Sequence, residues 1–410
     1  MAVFNKKTIE DVDINGRVVL VRVDYNVPLN DKGEITDNYR IATSLPTIRY
    51  LLGHGAKRVV LVSHLGRPGG RVDSKYSLGV VADCLRELLS GTQVEFIKFV
   101  PGVAGGSSEF LDKVASSSSG SVILLENLRF NPGEEANSEA FARDLVQLTD
   151  ADLFVQDGFG VLHRESATTN AITRLLPSVA GLLVENEVKA LQKAIYDPMR
   201  PFLSINGGAK VSDKVGILSN LMSLADSMLI GGAMANCFLK YSGNDVGVSK
   251  VEEGQGSALN TFFATRAARR IPLFLPQDVL TVKEIIATAK TEVKPVSKLA
   301  KDDIIVDIGP KTTELFLREI EKASTVVWNG NLGITEIEPF ANGSKAVAEA
   351  IGRKQGALTI IGGGDTAGFV RGLMQQDSSL RYSLISTGGG VALDFIAGKP
   401  LPGLVSLQDR

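Results

Sequence analysis

The alternation of short apolar runs with longer amphipathic stretches is the feature that most constrains the fold of this chain. Clear examples of the runs are Val18–Val23, Val59–Val62, Val122–Leu125, Ile304–Val306, Thr325–Trp328 and Leu358–Ile361. Runs this short, with few polar residues, are typical of strands buried on both faces of a parallel sheet. Because stretches with helical spacing separate them, the pattern predicts βαβ units in doubly wound, Rossmann-like parallel sheets.

The chain is long enough for more than one such sheet. Its 410 residues predict two or three domains at roughly 150 residues each. A helical pattern within residues 184–200 ends at Asp197-Pro198, and a second series of βαβ units follows it. We therefore predict two α/β lobes, residues 1–183 and residues 201–395, joined by this helix. A cleft between two such lobes is a usual place for ligands.

The composition excludes several classes of protein. The 44 Lys and Arg residues against 46 Asp and Glu give a net charge of −2, which argues against a nucleic-acid binder. Two cysteines cannot form a disulfide framework, and this favours a reducing compartment. We find neither a signal peptide at the start nor a span of about 20 apolar residues. The sequence therefore predicts a cytoplasmic protein with no membrane or nucleic-acid partner.

Cationic side chains follow the predicted strands of the first half, where the carboxyl ends of parallel strands meet at one edge of the sheet. The polar residues in question are Arg22, Asp24, Asn26, Arg40, His64, Arg67, Arg129, His163 and Arg164. Any single arginine could simply pair with a surface carboxylate. Their recurrence at successive strand ends favours a site for a small, highly charged anion, because guanidinium groups match phosphate and carboxylate oxygens in pairs.

In the second half of the chain, glycines follow the predicted strands. The clusters are Gly207-Gly208, Gly231-Gly232, Asn329-Gly330, Gly362–Gly364 and Gly388–Gly390. One glycine pair is only a structural turn, but several that open helices expose backbone N–H groups to phosphate. Together with Lys210, Lys214 and Asp365, they predict a nucleotide polyphosphate site with Mg²⁺ held by Asp365.

Two common nucleotide motifs are absent from the sequence. There is no G-x-x-x-x-G-K-[ST] loop, and no G-x-G-x-x-G follows the first strand with an acidic residue about 20 positions later. These absences argue against a P-loop enzyme and a dinucleotide dehydrogenase. An anion site on one lobe and a nucleotide site on the other predict a phosphoryl-transfer enzyme whose lobes close on two substrates.

Several ordered blocks of the sequence are similar to those of one enzyme family. They are Arg22–Pro28 (RVDYNVP), Ser63–Pro68 (SHLGRP), Glu126–Phe130 (ENLRF), Gly207–Lys214 (GGAKVSDK), Asp307–Thr312 (DIGPKT), Gly362–Thr366 (GGGDT) and Ser386–Gly390 (STGGG). On these blocks the chain resembles the phosphoglycerate kinases, from its first strand to its last residues. The resemblance also implies that a tail of about residues 396–410 returns to the first lobe, and that the protein is a monomer.

The resemblance implies the reaction 1,3-bisphosphoglycerate + ADP ⇌ 3-phosphoglycerate + ATP, with Mg²⁺, in glycolysis and gluconeogenesis. The positions that match phosphoglycerate-binding residues are Asp24, Asn26, Arg40, His64, Leu65, Gly66, Arg67, Arg129 and Arg164. The positions that match nucleotide-binding residues are Gly208, Ala209, Lys210, Lys214, Gly231, Gly232, Gly309, Asn329, Gly333, Ile334, Glu336, Gly363, Gly364, Asp365 and Thr366. Asp365 matches the carboxylate of the Mg²⁺-nucleotide, and Gly388–Gly390 match the helix start that faces the transferred group.

Phosphoryl transfer requires in-line positioning and charge neutralisation more than covalent work by the protein. We therefore expect Arg40 and Lys210, with Gly388 and Gly389, to stabilise the transferred group. Two alternatives are another acyl-phosphate kinase, with a different carboxylate substrate, and a non-catalytic protein on the same fold. The first would alter the Arg and His set, and the second would lose Lys210, Asp365 or Arg40, yet all of these are present.

Overall fold

The computed structural model describes residues 4–102, 117–210 and 215–410. The chain divides into two compact units. The first unit runs up to Lys189 and takes in Pro400–Arg410, and the second unit is Ala190–Lys399. Among the helices of the described residues, none is both long and apolar enough to cross a membrane.

Strands occur throughout both units. They are β1 (Val18–Arg22), β2 (Arg58–Val62), β3 (Val94–Ile97), β4 (Ser121–Leu125), β5 (Leu153–Gln156), β6 (Ser178–Ala180), β7 (Phe202–Asn206), β8 (Ser227–Ile230), β9 (Leu273–Phe274), β10 (Asp278–Val282), β11 (Glu292–Pro295), β12 (Ile304–Ile308), β13 (Thr325–Asn329), β14 (Leu358–Gly362) and β15 (Leu384–Ile385).

The α-helices of the described residues lie mostly between these strands. They are α1 (Tyr39–Ala42), α2 (Leu45–Gly53), α3 (Gly79–Leu88), α4 (Pro132–Glu135), α5 (Glu139–Thr149), α6 (Leu182–Tyr196), α7 (Val215–Leu224), α8 (Gly232–Tyr241), α9 (Gly256–Arg269), α10 (Pro310–Lys322), α11 (Asn342–Gly352), α12 (Gly364–Gln376), α13 (Gly389–Ile396) and α14 (Pro402–Val405).

The first unit is built on a parallel six-stranded sheet in the order β3-β4-β2-β1-β5-β6. Side chains of β1 alternate between two apolar clusters, with Val19 and Val21 in one and Val18 and Leu20 in the other. Both faces of the sheet are therefore covered, which explains why its strands are almost wholly apolar. The end of the chain belongs to this unit, since Lys7 N–H donates to the Gln408 carbonyl at 2.8 Å.

The second unit contains a parallel six-stranded sheet in the order β15-β14-β13-β7-β8-β9. With the sheet of the first unit, it confirms the predicted fold of two doubly wound α/β lobes. A smaller antiparallel sheet, β11-β10-β12, accompanies it. The prediction that the run Ile304–Val306 belongs to a parallel sheet is therefore wrong. Ile304 and Ile305 are only half-buried, whereas β13 is buried throughout.

Candidate active site

A pocket of about 830 Å³ lies in the second unit, at the carboxyl ends of its parallel strands. Its wall includes many of the residues predicted to bind a nucleotide. Those that line it are Gly208, Ala209, Lys210, Gly232, Asn329, Gly333, Ile334, Glu336, Gly363, Gly364, Asp365, Thr366 and Gly389. The pocket is large enough for a nucleotide, and its position follows the rule for ligands in open α/β sheets.

Three helices begin at the wall of this pocket. Helix α8 starts at Gly232, α12 at Gly364 and α13 at Gly389, and all three glycines line the pocket. The first turns of helices expose N–H groups and the positive end of the helix dipole. Their convergence makes the pocket suited to a polyphosphate.

Close backbone contacts explain why position 232, at the start of α8, is a glycine. Gly208 N–H donates to the Asn331 carbonyl at 2.8 Å, and Gly232 N–H donates to the Leu332 carbonyl at 3.0 Å. Gly232 has a φ of +62°, and a Cβ there would lie 2.4 Å from the Asn331 carbonyl oxygen. Any larger residue at position 232 would push the two loops apart.

The remaining predicted nucleotide residues lie beside the wall or outside the described residues. Gly231 N–H donates to the Asn206 carbonyl at 2.9 Å, and Gly309 N–H to the Asp278 carbonyl at 2.9 Å. Gly388 is buried just before α13. These three glycines support the wall without forming part of it. Lys214 falls outside the described residues.

Part of the wall was not predicted from the sequence. It includes the carboxyl group of Asp307, the ammonium-bearing Lys250, and an apolar side formed by Val248, Ile285 and Val306. Val248 and Ile285 are exposed, 64% and 47% respectively, and an apolar surface beside a polyphosphate site suits a nucleobase. In the sequence, neither Asp307 nor these apolar residues form a motif that indicates a ligand. They come together only in the folded chain.

Charged side chains in the first unit form a connected network. Arg40 donates to the Asp24 carboxylate, whose other oxygen lies 4.0 Å from His64 Nδ1. Arg22 donates to His64 Nδ1 at 2.9 Å and to Glu134 at 2.7 Å. Asp24 and His64 are buried, whereas Arg40 is partly exposed.

This network determines the charge states of its members. A guanidinium only donates, so Nδ1 of His64 accepts from Arg22 and the ring proton sits on Nε2. Burial, reinforced by neighbouring arginines, holds the pKa of His64 well below its usual value, against the pull of Asp24. Burial raises the pKa of Asp24, but Arg40, the Asn26 N–H group and Arg22 outweigh it and leave that pKa lowered. The site therefore presents a carboxylate, a guanidinium and a neutral imidazole.

A second pocket of about 320 Å³ in the first unit is lined by both basic and acidic side chains, namely Arg22, Arg129, Arg164, Glu134, Glu135 and Glu165, together with Val161 and Ser166. Arg129 is buried, donates to the Gly66 carbonyl at 2.7 Å and forms an ion pair with Glu135 at 3.2 Å. Burial lowers the pKa of Arg129, and Arg164 adds to this effect against Glu135. Two guanidinium groups close enough to oppose each other's charge favour an anionic ligand.

The other predicted anion-site residues lie on the loop after β2. Gly66 N–H donates to Asn26 Oδ1 at 2.8 Å, so the loop that carries Leu65 and Arg67 is bound to the segment that follows β1. Leu65 is buried and Arg67 is exposed. Within the described residues no group of three or more His, Cys, Asp or Glu side chains could hold a metal ion.

The chain matches known proteins over nearly its full length. Residues 9–399 match the phosphoglycerate kinase family. The phosphoglycerate kinase of Dictyoglomus turgidum is 48% identical over 408 residues, which cover 99% of this chain and 100% of that protein. The solved phosphoglycerate kinase structures from Coxiella burnetii and Pyrococcus horikoshii OT3 give TM-scores of 0.82 and 0.80, at 34% and 30% identity. Each covers 98% of both chains.

The two parallel sheets and the glycine-lined pocket define an α/β phosphotransferase. Given the match over residues 9–399 and the 48% identity to a full-length relative, the chain belongs to the phosphoglycerate kinase family. It is a kinase of glycolysis that transfers a phosphoryl group to a carboxyl group and uses a nucleotide as its other substrate. The family resemblance and the function predicted from the sequence are confirmed.

Proposed function

We propose that the enzyme catalyses 1,3-bisphosphoglycerate + ADP ⇌ 3-phosphoglycerate + ATP reversibly, with Mg²⁺ bound to the nucleotide. The observation that carries this proposal is the pocket in the second unit, where three helices begin on glycines beside Lys210 and Asp365. A nucleotide polyphosphate suits that pocket, and a phosphorylated carboxylic acid suits the arginines of the first unit.

The phosphoglycerate is assigned to the first unit. The residues proposed to bind it are Asp24, Asn26, Arg40, His64, Leu65, Gly66, Arg67, Arg129 and Arg164. Arg129 and Arg164 supply paired donors for a phosphate group. The Nε2–H of His64 is a neutral donor, and Asp24 accepts a hydrogen bond from a hydroxyl group and orients Arg40.

The nucleotide is assigned to the second unit. Its proposed binding residues are Gly208, Ala209, Lys210, Lys214, Gly231, Gly232, Gly309, Asn329, Gly333, Ile334, Glu336, Gly363, Gly364, Asp365 and Thr366. The apolar side of the pocket at Val248 and Ile285 receives the base, and the carboxylate of Glu336 accepts from ribose hydroxyl groups.

The donor chemistry of the pocket fits Mg²⁺. Asp365 lies exposed in the first turn of α12, so its carboxylate can reach an ion that keeps several waters and phosphate oxygens as its other ligands. When bound, Mg²⁺ neutralises phosphate charge and orients the polyphosphate. Asp365 is therefore the one metal ligand we propose from the protein.

The protein's part in the reaction is positioning and charge neutralisation. Arg40 and Lys210 offset the charge on the transferred group, and the N–H group of Gly389 at the start of α13 donates to its oxygens. Gly388, whose own N–H donates to Ser386 Oγ at 3.2 Å, acts by holding the start of this helix in place. The attacking group is a carboxylate of 3-phosphoglycerate, or a phosphate oxygen of ADP in the other direction. Both are already anions, so no general base is needed.

The setting of the enzyme is proposed on the sequence and the family. We assign it to the cytoplasm, as a monomer, without membrane or nucleic-acid partners. The near balance of 44 basic and 46 acidic residues and the two cysteines support this assignment.

A coupled assay tests the proposed function. Purified protein is supplied with ATP and 3-phosphoglycerate, with and without Mg²⁺, and in parallel with GTP and with other carboxylates such as acetate and aspartate. We expect Mg²⁺-dependent ADP formation with 3-phosphoglycerate and background rates with the other acids. Turnover of another carboxylate at a higher kcat/KM would indicate a different acyl-phosphate kinase. Absence of turnover would indicate a non-catalytic protein on this fold.

A further inference from the structure

Asp307 is a buried carboxylate in the wall of the second unit's pocket. It is the next-to-last residue of β12, lines the pocket and is only 2% exposed. It is not among the residues assigned above to bind or transfer phosphate. A buried carboxylate is costly unless its oxygens accept hydrogen bonds, so its partners show what it does.

Both oxygens of Asp307 accept backbone hydrogen bonds from two different elements. Oδ1 accepts from Ile308 N–H at 2.9 Å, and Oδ2 accepts from Gly343 N–H at 2.8 Å. Gly343 lies in the first turn of α11, where the helix dipole favours a negative charge. The carboxylate therefore ties β12 to the start of α11.

The loop that follows β13 packs directly on the same carboxylate. A Cβ on Gly333 would lie 2.4 Å from Asp307 Oδ1, so only glycine fits there. The next residue, Ile334, donates its N–H to the Val306 carbonyl at 3.0 Å, which binds the loop to β12. Gly333 and Ile334 both line the pocket, so their position depends on the position of Asp307.

We infer that Asp307 is a positioning residue that sets the nucleoside side of the pocket by holding the loop at Gly333 against β12 and α11. The inference rests on the proposed function, because it takes the pocket to be the nucleotide site. When the carboxyl group of Asp307 is ionised, both of its oxygens are acceptors and it holds Ile308 and Gly343 together. A protonated carboxyl group turns one oxygen into a donor, which loses one of the two N–H partners.

The environment of Asp307 makes this arrangement sensitive to pH. Burial raises the pKa of Asp307 to about 7, against the lowering effect of the Gly343 and Ile308 N–H groups. The charged groups on the elements packed around it are Asp278 at the start of β10 and Lys283 just after it, Glu336 and Glu338 in the loop, and Lys345 and Glu349 on α11. Burial is the largest cause of the shift.

Adenosine is the probe that tests this role, because it lacks phosphate groups and has no group that titrates between about pH 6 and pH 8. Its dissociation constant is measured by calorimetry at both pH values for the wild type, Asp307→Asn and Asp157→Asn. The last variant is a matched control. Asp157 is also buried, with a pKa raised to about 7 by burial, but it lies in the first unit.

We expect Asp307→Asn to weaken adenosine binding at pH 8 by roughly tenfold, since one lost hydrogen bond to a charged group has about that effect. The wild type should bind severalfold more weakly at pH 6 than at pH 8, whereas Asp307→Asn should bind equally at both. Steady-state assays should show a higher KM for ATP and an unchanged KM for 3-phosphoglycerate. Asp157→Asn should keep the wild-type affinity and pH dependence.

The outcomes separate the inference from the proposed function. A wild type that does not bind adenosine at either pH would refute the assignment of the pocket. Equal affinity in the wild type and a folded Asp307→Asn variant, with the same pH dependence, would overturn the role of Asp307 alone. If Asp307→Asn does not fold, the measurement on the wild type provides the test. A wild-type affinity for adenosine that does not change between pH 6 and pH 8 would contradict the inference.

Discussion

The arginines of the first unit have different roles, and their exposure and partners separate them. Arg22 is 2% exposed and donates to Glu134, Thr168 and His64. The charge of Arg22 is therefore paired with groups inside the protein. Arg40 donates to Asp24 while its side chain remains 28% exposed, so it is held in place and still accessible. Arg40 is therefore the better candidate to contact a transferred phosphoryl group.

We predict that Arg40→Ala lowers kcat by roughly 10³–10⁵-fold, the scale of an arginine that stabilises a phosphoryl-transfer transition state. Steady-state kinetics with saturating ATP and 3-phosphoglycerate measures the change. Arg17→Ala is the control, because Arg17 pairs with Asp152 at 3.4 Å on the surface of the same unit and should leave kcat unchanged. A folded Arg40→Ala variant with near-normal kcat would exclude this role.

Single residues also show what the sequence could and could not predict about the site. The position of Asp24, His64 and Arg129 after strands was enough to place them at one edge of a sheet. Which charges are neutralised internally was not predictable, because the partner of Arg22 is Glu134, 112 residues away. Asp307 was missed for a similar reason, since its partner Gly343 approaches it only in the folded chain.

At the scale of elements, the central strands of the two parallel sheets were predictable, whereas β10 and β11 of the antiparallel sheet were not. The runs Val122–Leu125 and Leu358–Ile361 form β4 and β14, because a mostly apolar segment is stable as a strand that is buried on both faces of a parallel sheet. Strand β11 is mostly exposed and carries charged residues, so its sequence resembles a loop. Without β10 and β11, the run at Ile304–Val306 was assigned to the wrong sheet.

The start of α13 offers a test of how closely two elements of the pocket approach each other. A Cβ on Gly389 would lie 2.5 Å from the backbone of Gly363, whereas a Cβ on Gly390 would meet nothing within 4 Å. We predict that Gly389→Ala lowers the free energy of unfolding by about 1–3 kcal/mol, as overpacking does. Gly390→Ala should raise it by about 0.5–1 kcal/mol, because alanine favours helix. Urea titrations measure both, and equal stabilities would contradict the close approach.

A buried carboxylate directly after β5, that of Asp157, binds the start of α6, and its ionisation should control stability. Asp157 accepts from Leu183 N–H at 3.0 Å, and burial raises its pKa to about 7, although Thr47 and backbone N–H groups oppose the shift. Between about pH 4 and pH 7 the folded state keeps a proton that the unfolded state has lost. The free energy of unfolding therefore decreases as pH rises through this window, by up to ~1.4 kcal/mol per pH unit.

We predict that Asp157→Asn removes this contribution, so that the decrease in stability between about pH 5 and pH 8 becomes smaller. Urea unfolding at four pH values measures it for the wild type and the variant. Asp152→Asn is the control, because Asp152 is exposed and should leave the pH dependence unchanged. If Asp157→Asn and the wild type lose the same stability over this range, then Asp157 ionises normally.

At the scale of the whole molecule, the charged network and the glycine-lined pocket belong to different units. The charged network around Asp24 and Arg129 lies within the first unit, and every residue of the glycine-lined pocket lies within Ala190–Lys399. Each half-site therefore has its own sheet, core and hydrogen bonds. Under the proposed assignment of substrates, we therefore expect each substrate to bind its own unit without the other substrate.

We predict that hydrogen exchange will report this division when each ligand is added alone. ADP with Mg²⁺ should slow exchange in the pocket segments of the second unit, around residues 207–210, 231–234 and 329–334, because bound ligand stabilises the native contacts there. 3-Phosphoglycerate should slow exchange around residues 22–27, 63–67 and 128–131 of the first unit. Mass spectrometry of peptides from the two samples measures both patterns. If ADP protected the first unit's segments and left the pocket segments unchanged, the assignment of substrates to units would be reversed.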